Sequence, residues 1–142
     1  MNNATEEIKK DLDYLKLPYL HDNISQLAQE AAKKNLSHLD FFTSAISMEV
    51  AKKHGRAAER RIKRAGFPFV KTMEGFRWSH PTKINRDLIK HLFTLNFIEE
   101  KRNVAFCALP GLGKTHISIA LAHHACMNGY RVCFETANTI IK

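Results

Sequence analysis

The sequence predicts an α-helical N-terminal region followed by an α/β C-terminal region, and three observations carry that expectation. Apolar side chains recur at helical spacing through the first 66 residues. Residues 103–108 form a short apolar run of the kind found in strands buried on both faces. A glycine-rich turn, a helical stretch and a second apolar run at 130–135 follow it, giving the order strand, helix, strand. The expected organisation is a helical domain over 1–66, a connector and helix over 67–102, and a partial core over 103–142.

Taken in order, the first helix is expected from Thr5, a candidate N-cap, with Ile8, Leu12 and Leu15 on one face and Pro18 as its stop. A second is expected over 21–35, where Ile24, Leu27, Ala28 and Ala31 fall at i, i+3, i+4 and i+7. Ser37 and Asp40 then have the spacing of a cap, and Leu39, Phe42, Ile46 and Val50 extend an apolar stripe into a third helix. This helix either continues through Gly55 or restarts after it, and Gly66-Phe67-Pro68 ends it. Phe67, Phe69, Phe76 and Trp78 mark 67–80 as an irregular but packed connector. After Pro81 a helix is expected over 84–98, on Ile84, Leu88, Leu92 and Leu95. The helix after the glycine-rich turn has Gly129 in the C′ position, and 136–142 reads as the opening of another.

Composition narrows the classes of function. Of the 142 residues, 44% are hydrophobic and 25% charged, ordinary values for a globular protein. No apolar stretch approaches the ~20 residues of a membrane-spanning helix, so no membrane role is expected. Three cysteines without CxxC spacing and no signal-peptide pattern point to reduced thiols and a cytoplasmic location. The net charge of +8 is concentrated: −3 over residues 1–50, +9 over 51–90 and +2 over 91–142. A basic segment of this density suggests a polyanionic partner.

The run Ala108, Leu109, Pro110, Gly111, Leu112, Gly113, Lys114 and Thr115 fits the phosphate-loop pattern [AG]xxxxGK[ST], placed between an expected strand and an expected helix. Glycines let successive backbone N–H groups turn into one concavity, and the helix that follows adds its positive end. Lys114 is then the residue to reach the terminal phosphates of ATP, and the Thr115 hydroxyl the ligand for Mg²⁺. A chance glycine-rich turn would give the same pattern without the chemistry. Lys52, Lys53, Arg56, Arg60, Arg61, Lys63 and Arg64, opposed only by Glu59, are candidates for DNA contact through phosphates; the alternatives are a solvated helix face or a partner-docking surface. His123, His124 and Cys126 lack a second ligand pair, and adjacent helical residues project about 100° apart, so a metal site is not expected there. His116 stands next to the phosphate-loop threonine with nothing else to support a catalytic role.

Three stretches, LKLPYL…LAQEAAKKNLSHLDFF, ERRIKRAGFPFVKTMEGFRW and TLNFIEEKRNVAFCALPGLGKTHISIALAHHACMNGYRVCFETA, together resemble the IstB-like ATP-binding proteins, helper ATPases of insertion-sequence transposition related to DnaC-type helicase loaders. The resemblance covers nearly the whole chain, with Ala108-Leu109-Pro110-Gly111 where the family usually has Gly-Pro-Pro-Gly. It implies an AAA+ P-loop ATPase behind a small helical domain, assembling as a homo-oligomer on DNA when full length and using ATP to direct a transposase to its target. It carries nucleotide binding onto residues 108–115 and DNA contact onto the basic middle as a region. It carries no catalytic residue, because the acid-bearing later strand, the sensor and the arginine finger have no counterpart here, and Glu135 does not stand in that place. The expectation is therefore an N-terminal fragment, truncated after the second core strand and deficient in hydrolysis. A helicase loader is the alternative within the class, and a nucleotide-independent DNA- or transposase-binding module the alternative outside it. A small-molecule P-loop kinase is disfavoured by the roughly 100 helical residues ahead of the loop.

Overall fold

Pro18, expected to stop one helix, also begins the next. The computed structural model describes residues 3–79 and 84–141, so the break expected at Pro81 lies outside the described residues. The chain divides into two compact units, Met1–Arg56 and Ala57–Lys142.

In the first unit, α1 (Asn3–Tyr14) begins ahead of Thr5, which is therefore not its cap. It closes with Lys16 at φ 55° and the Leu17 N–H bonded to the Leu12 carbonyl at 2.9 Å, a left-handed C-terminal turn. Pro18 opens α2 (Pro18–Lys33), where its fixed φ suits the first helical position and its missing N–H leaves one orphan donor fewer. Asn35 at φ 48° ends that helix by the same left-handed device. The expected Ser37 cap forms: the Asp40 N–H donates to Ser37 Oγ at 3.2 Å while that hydroxyl donates to the Asp40 carboxylate at 2.6 Å. The helix it starts, α3 (His38–Arg64), runs unbroken through Gly55. The core is Leu12, Leu20 and Ala45, with Leu17, Ile24, Leu27 and Ile46 packed around it. The stripe expected on α3 is mostly outside this core, since Leu39, Phe42 and Val50 are exposed. Ala45 and Glu49, one turn apart, form the buried face instead.

The second unit takes residues 57–64 of α3 and then the aromatic connector, in which Phe76 is 6% exposed. The single helix expected over 84–98 is two, α4 (Arg86–Leu92) and α5 (Asn96–Glu99). Leu95 breaks it at φ 62°, a conformation costly for a branched side chain, and in doing so is buried among Leu121 and Ala125. α6 (Lys114–Met127) is the centre of the unit. It buries Ile117, Ile119, Ala120, Leu121, Ala125 and Cys126, which face different directions round the helix. Phe76 and Ile89 pack on its first half, Leu95 and Val132 on its second, and Phe106 reaches both groups. Gly129 at φ 100° supplies the C′ position, with the Tyr130 N–H on the Ala125 carbonyl at 3.0 Å. A short α7 (Ala137–Ile140) follows.

The α/β expectation is overturned: no strand forms among the described residues, and the strand-helix-strand core is absent. Residues 103–108 and 130–135 are neither helical nor paired. A strand exists through its ladder, and neither segment has a ladder partner. The second segment instead donates Phe134 N–H to the Ala65 carbonyl at the end of α3, at 2.7 Å. Their apolarity does find a use, because Phe106 and Val132 cover α6. The burial on both faces expected of these runs does not occur either: Val104, Phe106, Val132 and Phe134 are half-buried, whereas Ala105, Cys107 and Cys133 are exposed.

Candidate functional site

Residues 108–115, which fit the phosphate-loop pattern, lie on a largely exposed turn leading into α6. Gly111 and Gly113 both have φ 82°, a left-handed conformation that glycine alone adopts without penalty, so the pattern's glycines stand where the backbone requires them. Ala108, Leu109 and Pro110 are exposed and Leu112 is half-buried. Gly113 is the N-cap of α6, and no side chain accepts a hydrogen bond from the helix start. The first turn holds no acid, and the first backbone bond is from the Ile117 N–H to the Gly113 carbonyl at 3.0 Å. The preceding amides thus form an uncapped, electropositive helix start. Lys114 Nζ donates to the carbonyls of Ala108 and Leu109, at 2.8 Å each, closing the loop on itself. Thr115 is exposed. A cavity of about 290 Å³ adjoins the loop, lined by Lys114, Leu112, Phe106 and, from α4 and its cap, Ile89, Leu88 and Asn85.

His116 turns away from this loop. Its Nε2 lies 3.0 Å from the Thr72 carbonyl, and its ring meets the Phe76 ring edge-on at 5.2 Å. Sequence reasoning missed this contact because a connector without regular structure has no periodicity from which a partner can be inferred. His123 and His124 line a separate recess with Thr72, Met73 and Glu74. The Glu74 carboxyl is held below its usual range, first by the Thr72 hydroxyl, then by its own backbone and by the two histidines. Among the described residues no three His, Cys, Asp or Glu side chains gather to hold a metal ion. Cys126 is buried, and burial pushes its thiol pKa up.

The seven basic candidates do not form one free face. Arg56 donates to Glu49 at 3.1 Å, and Arg61 Nε donates to the Cys126 carbonyl near the end of α6 at 2.7 Å. Lys52 lies 5.9 Å from the Tyr19 ring centroid. Lys53, Arg60, Lys63 and Arg64 are exposed, the last three at i, i+3 and i+4 within the second unit. Glu49 was also missed. It is 1% exposed and accepts the Leu20 N–H at 2.9 Å as well as Arg56. The signal for it was its place one turn after Ala45 and two turns before Arg56 on α3.

No helix among the described residues is long and apolar enough to cross a membrane. The profile of the family described as "IstB-like ATP binding protein" matches residues 10–142. The chain is 36% identical over 135 residues to the "Insertion sequence IS21 putative ATP-binding protein" of Pseudomonas aeruginosa, covering 95% of this chain and 51% of that protein. It is 31% identical over 136 residues to the "Insertion sequence IS5376 putative ATP-binding protein" of Geobacillus stearothermophilus, covering 96% and 54%. It therefore spans about half the length of the curated relatives it matches. With the match running from the middle of α1 through the glycine-rich loop to the last residue, the chain belongs to the family of IstB-like ATP-binding proteins.

Proposed function

We propose that residues 108–115 bind the phosphates of ATP and that the chain is the helical and loop-bearing part of a helper for DNA transposition, directing a transposase to target DNA. The observation that carries the reading is the start of α6: two left-handed glycines lead into a helix whose first amides have neither a side-chain cap nor an acid. An anion is the natural partner of such a start. Lys114 is the counter-charge, released from the Ala108 and Leu109 carbonyls to the phosphates, and the exposed Thr115 hydroxyl is the Mg²⁺ ligand. When bound, the ion neutralises phosphate charge. The exposed Arg60, Lys63 and Arg64 contact DNA phosphates, and assembly on DNA belongs to the longer protein.

The test is a titration with a fluorescent ADP derivative in Mg²⁺. Lys114→Ala is expected to weaken binding about a hundredfold, the cost of deleting one partner of a close charge pair. Equal affinity in wild type and variant rejects the phosphate site.

A further inference from the structure

Beyond the residues of the loop itself, two side chains join it to the connector that precedes it by some 40 positions. Phe76 is buried and lies directly against Gly113: a methyl group at Gly113 would come within 2.8 Å of Phe76 Cε2, closer than van der Waals contact allows. His116, the residue after Thr115 and the third of α6, bonds the Thr72 carbonyl at 3.0 Å and meets the same Phe76 ring edge-on. Trp78 completes the group, its ring 5.0 Å from Phe76 and nearly perpendicular to it. The loop proper is otherwise thinly held. Leu109 is 75% exposed, and a Cβ at Gly111 would meet nothing within 4 Å.

We infer that His116 and Phe76 are positioning residues that tie the 72–78 connector to the back of the phosphate loop and hold Gly113 in its left-handed form. The inference rests on the reading of that loop as the nucleotide site. Two separate contacts join the same two segments: the Phe76 ring lies against Gly113 itself, and three residues later the His116 hydrogen bond fixes the first turn of α6 to the connector. Phe76 also explains why position 113 accepts glycine for a steric reason as well as a backbone one: with the ring in place there is no room for a side chain. His116 thus acts through the loop and touches no phosphate. The backbone carbonyl it binds cannot be lost by mutation of Thr72, so the histidine is the side that can be tested.

The test uses the whole 142-residue chain. Amide hydrogen exchange of the segment 109–116 is measured without nucleotide, and affinity for a fluorescent ADP derivative in Mg²⁺ is measured in parallel. His116→Ala is expected to speed loop exchange about fivefold and to weaken ADP by a similar factor, the effect of one net hydrogen bond. His116→Gln, whose amide can reach the same carbonyl, restores both. Phe76→Leu, a milder change with the histidine intact, moves both in the same direction by about threefold. Wild-type loop exchange in both His116→Ala and Phe76→Leu overturns the tether, as does a loss in His116→Ala that glutamine fails to restore. If wild type binds no ADP, the nucleotide reading falls, and loop exchange with its rescue by glutamine alone decides the tether.

Discussion

Among the described residues two long helices, α2 and α6, begin without a side-chain cap of their own, and the two starts are completed differently. At α2 the N-cap is Leu17, whose side chain offers no acceptor, yet the Leu20 N–H is satisfied by the carboxylate of Glu49 from α3. At α6 the N-cap is Gly113, with no capping side chain and no acid in the first turn. The first start contains its anion, and Arg56 balances it. The second has a lysine in place of an acid and is open to solvent at Thr115. A helix start holds about half a positive charge wherever it occurs. What separates a structural start from a receptive one is whether the fold itself supplies the anion.

The largest effect that tests this contrast is at Glu49. Removing the carboxylate leaves the Leu20 N–H without its acceptor and Arg56 without its partner, in a site that is 1% exposed. Glu49→Ala is expected to destabilise the first unit by about 3 kcal/mol, the scale of breaking a buried pair on one side. Urea unfolding followed by circular dichroism measures it, and a change within experimental error would mean that α2 needs no internal anion.

The basic segment gives a second, smaller contrast on one helix. Arg56 is bound to Glu49, whereas Arg60 is exposed. Arg60→Ala is expected to reduce the slope of log affinity for duplex DNA against log salt by about one and to leave unfolding unchanged. Arg56→Ala is expected to do the reverse, lowering stability by about 2 kcal/mol because it leaves the buried Glu49 carboxylate with the Leu20 N–H alone, and leaving the salt slope intact. Equal salt slopes in the two variants would erase the distinction between the bound and the exposed arginine.

How far the sequence disclosed this arrangement depended on whether the partner was local. The Ser37 cap, the C′ role of Gly129 and the glycines of the loop are decided within a few residues, and each stands where the spacing placed it. The two helices within 84–98 were not separable, because the periodicity of Ile84, Leu88, Leu92 and Leu95 runs straight through a break that Leu95 makes for the sake of burial. The strands failed for a related reason: an apolar run shows only that some of its side chains will be covered, here Phe106 and Val132 on α6, and a ladder needs a second segment that no run can announce. Glu49 to Leu20 and His116 to Thr72 span 29 and 44 positions. Contacts of that reach are settled by packing, and they are the ones that distinguish the two helix starts.

The most direct test of the contrast is to give α6 the anion it lacks. Thr115 occupies the second position of the helix, so Thr115→Glu places a carboxylate where the exposed amides and Lys114 can both meet it. If α6 is an unfilled version of the α2 start, the substitution should raise the stability of the second unit by about 0.5 kcal/mol, the usual value of an acid in a first turn at an exposed site. The same carboxylate would occupy the phosphate position and repel the nucleotide, so affinity for the fluorescent ADP derivative should fall by about tenfold. The two signs together are the informative result. A destabilised variant that also loses ADP would describe only a damaged loop, whereas greater stability with weaker binding identifies the helix start as a place where the fold leaves an anion to be supplied by a ligand.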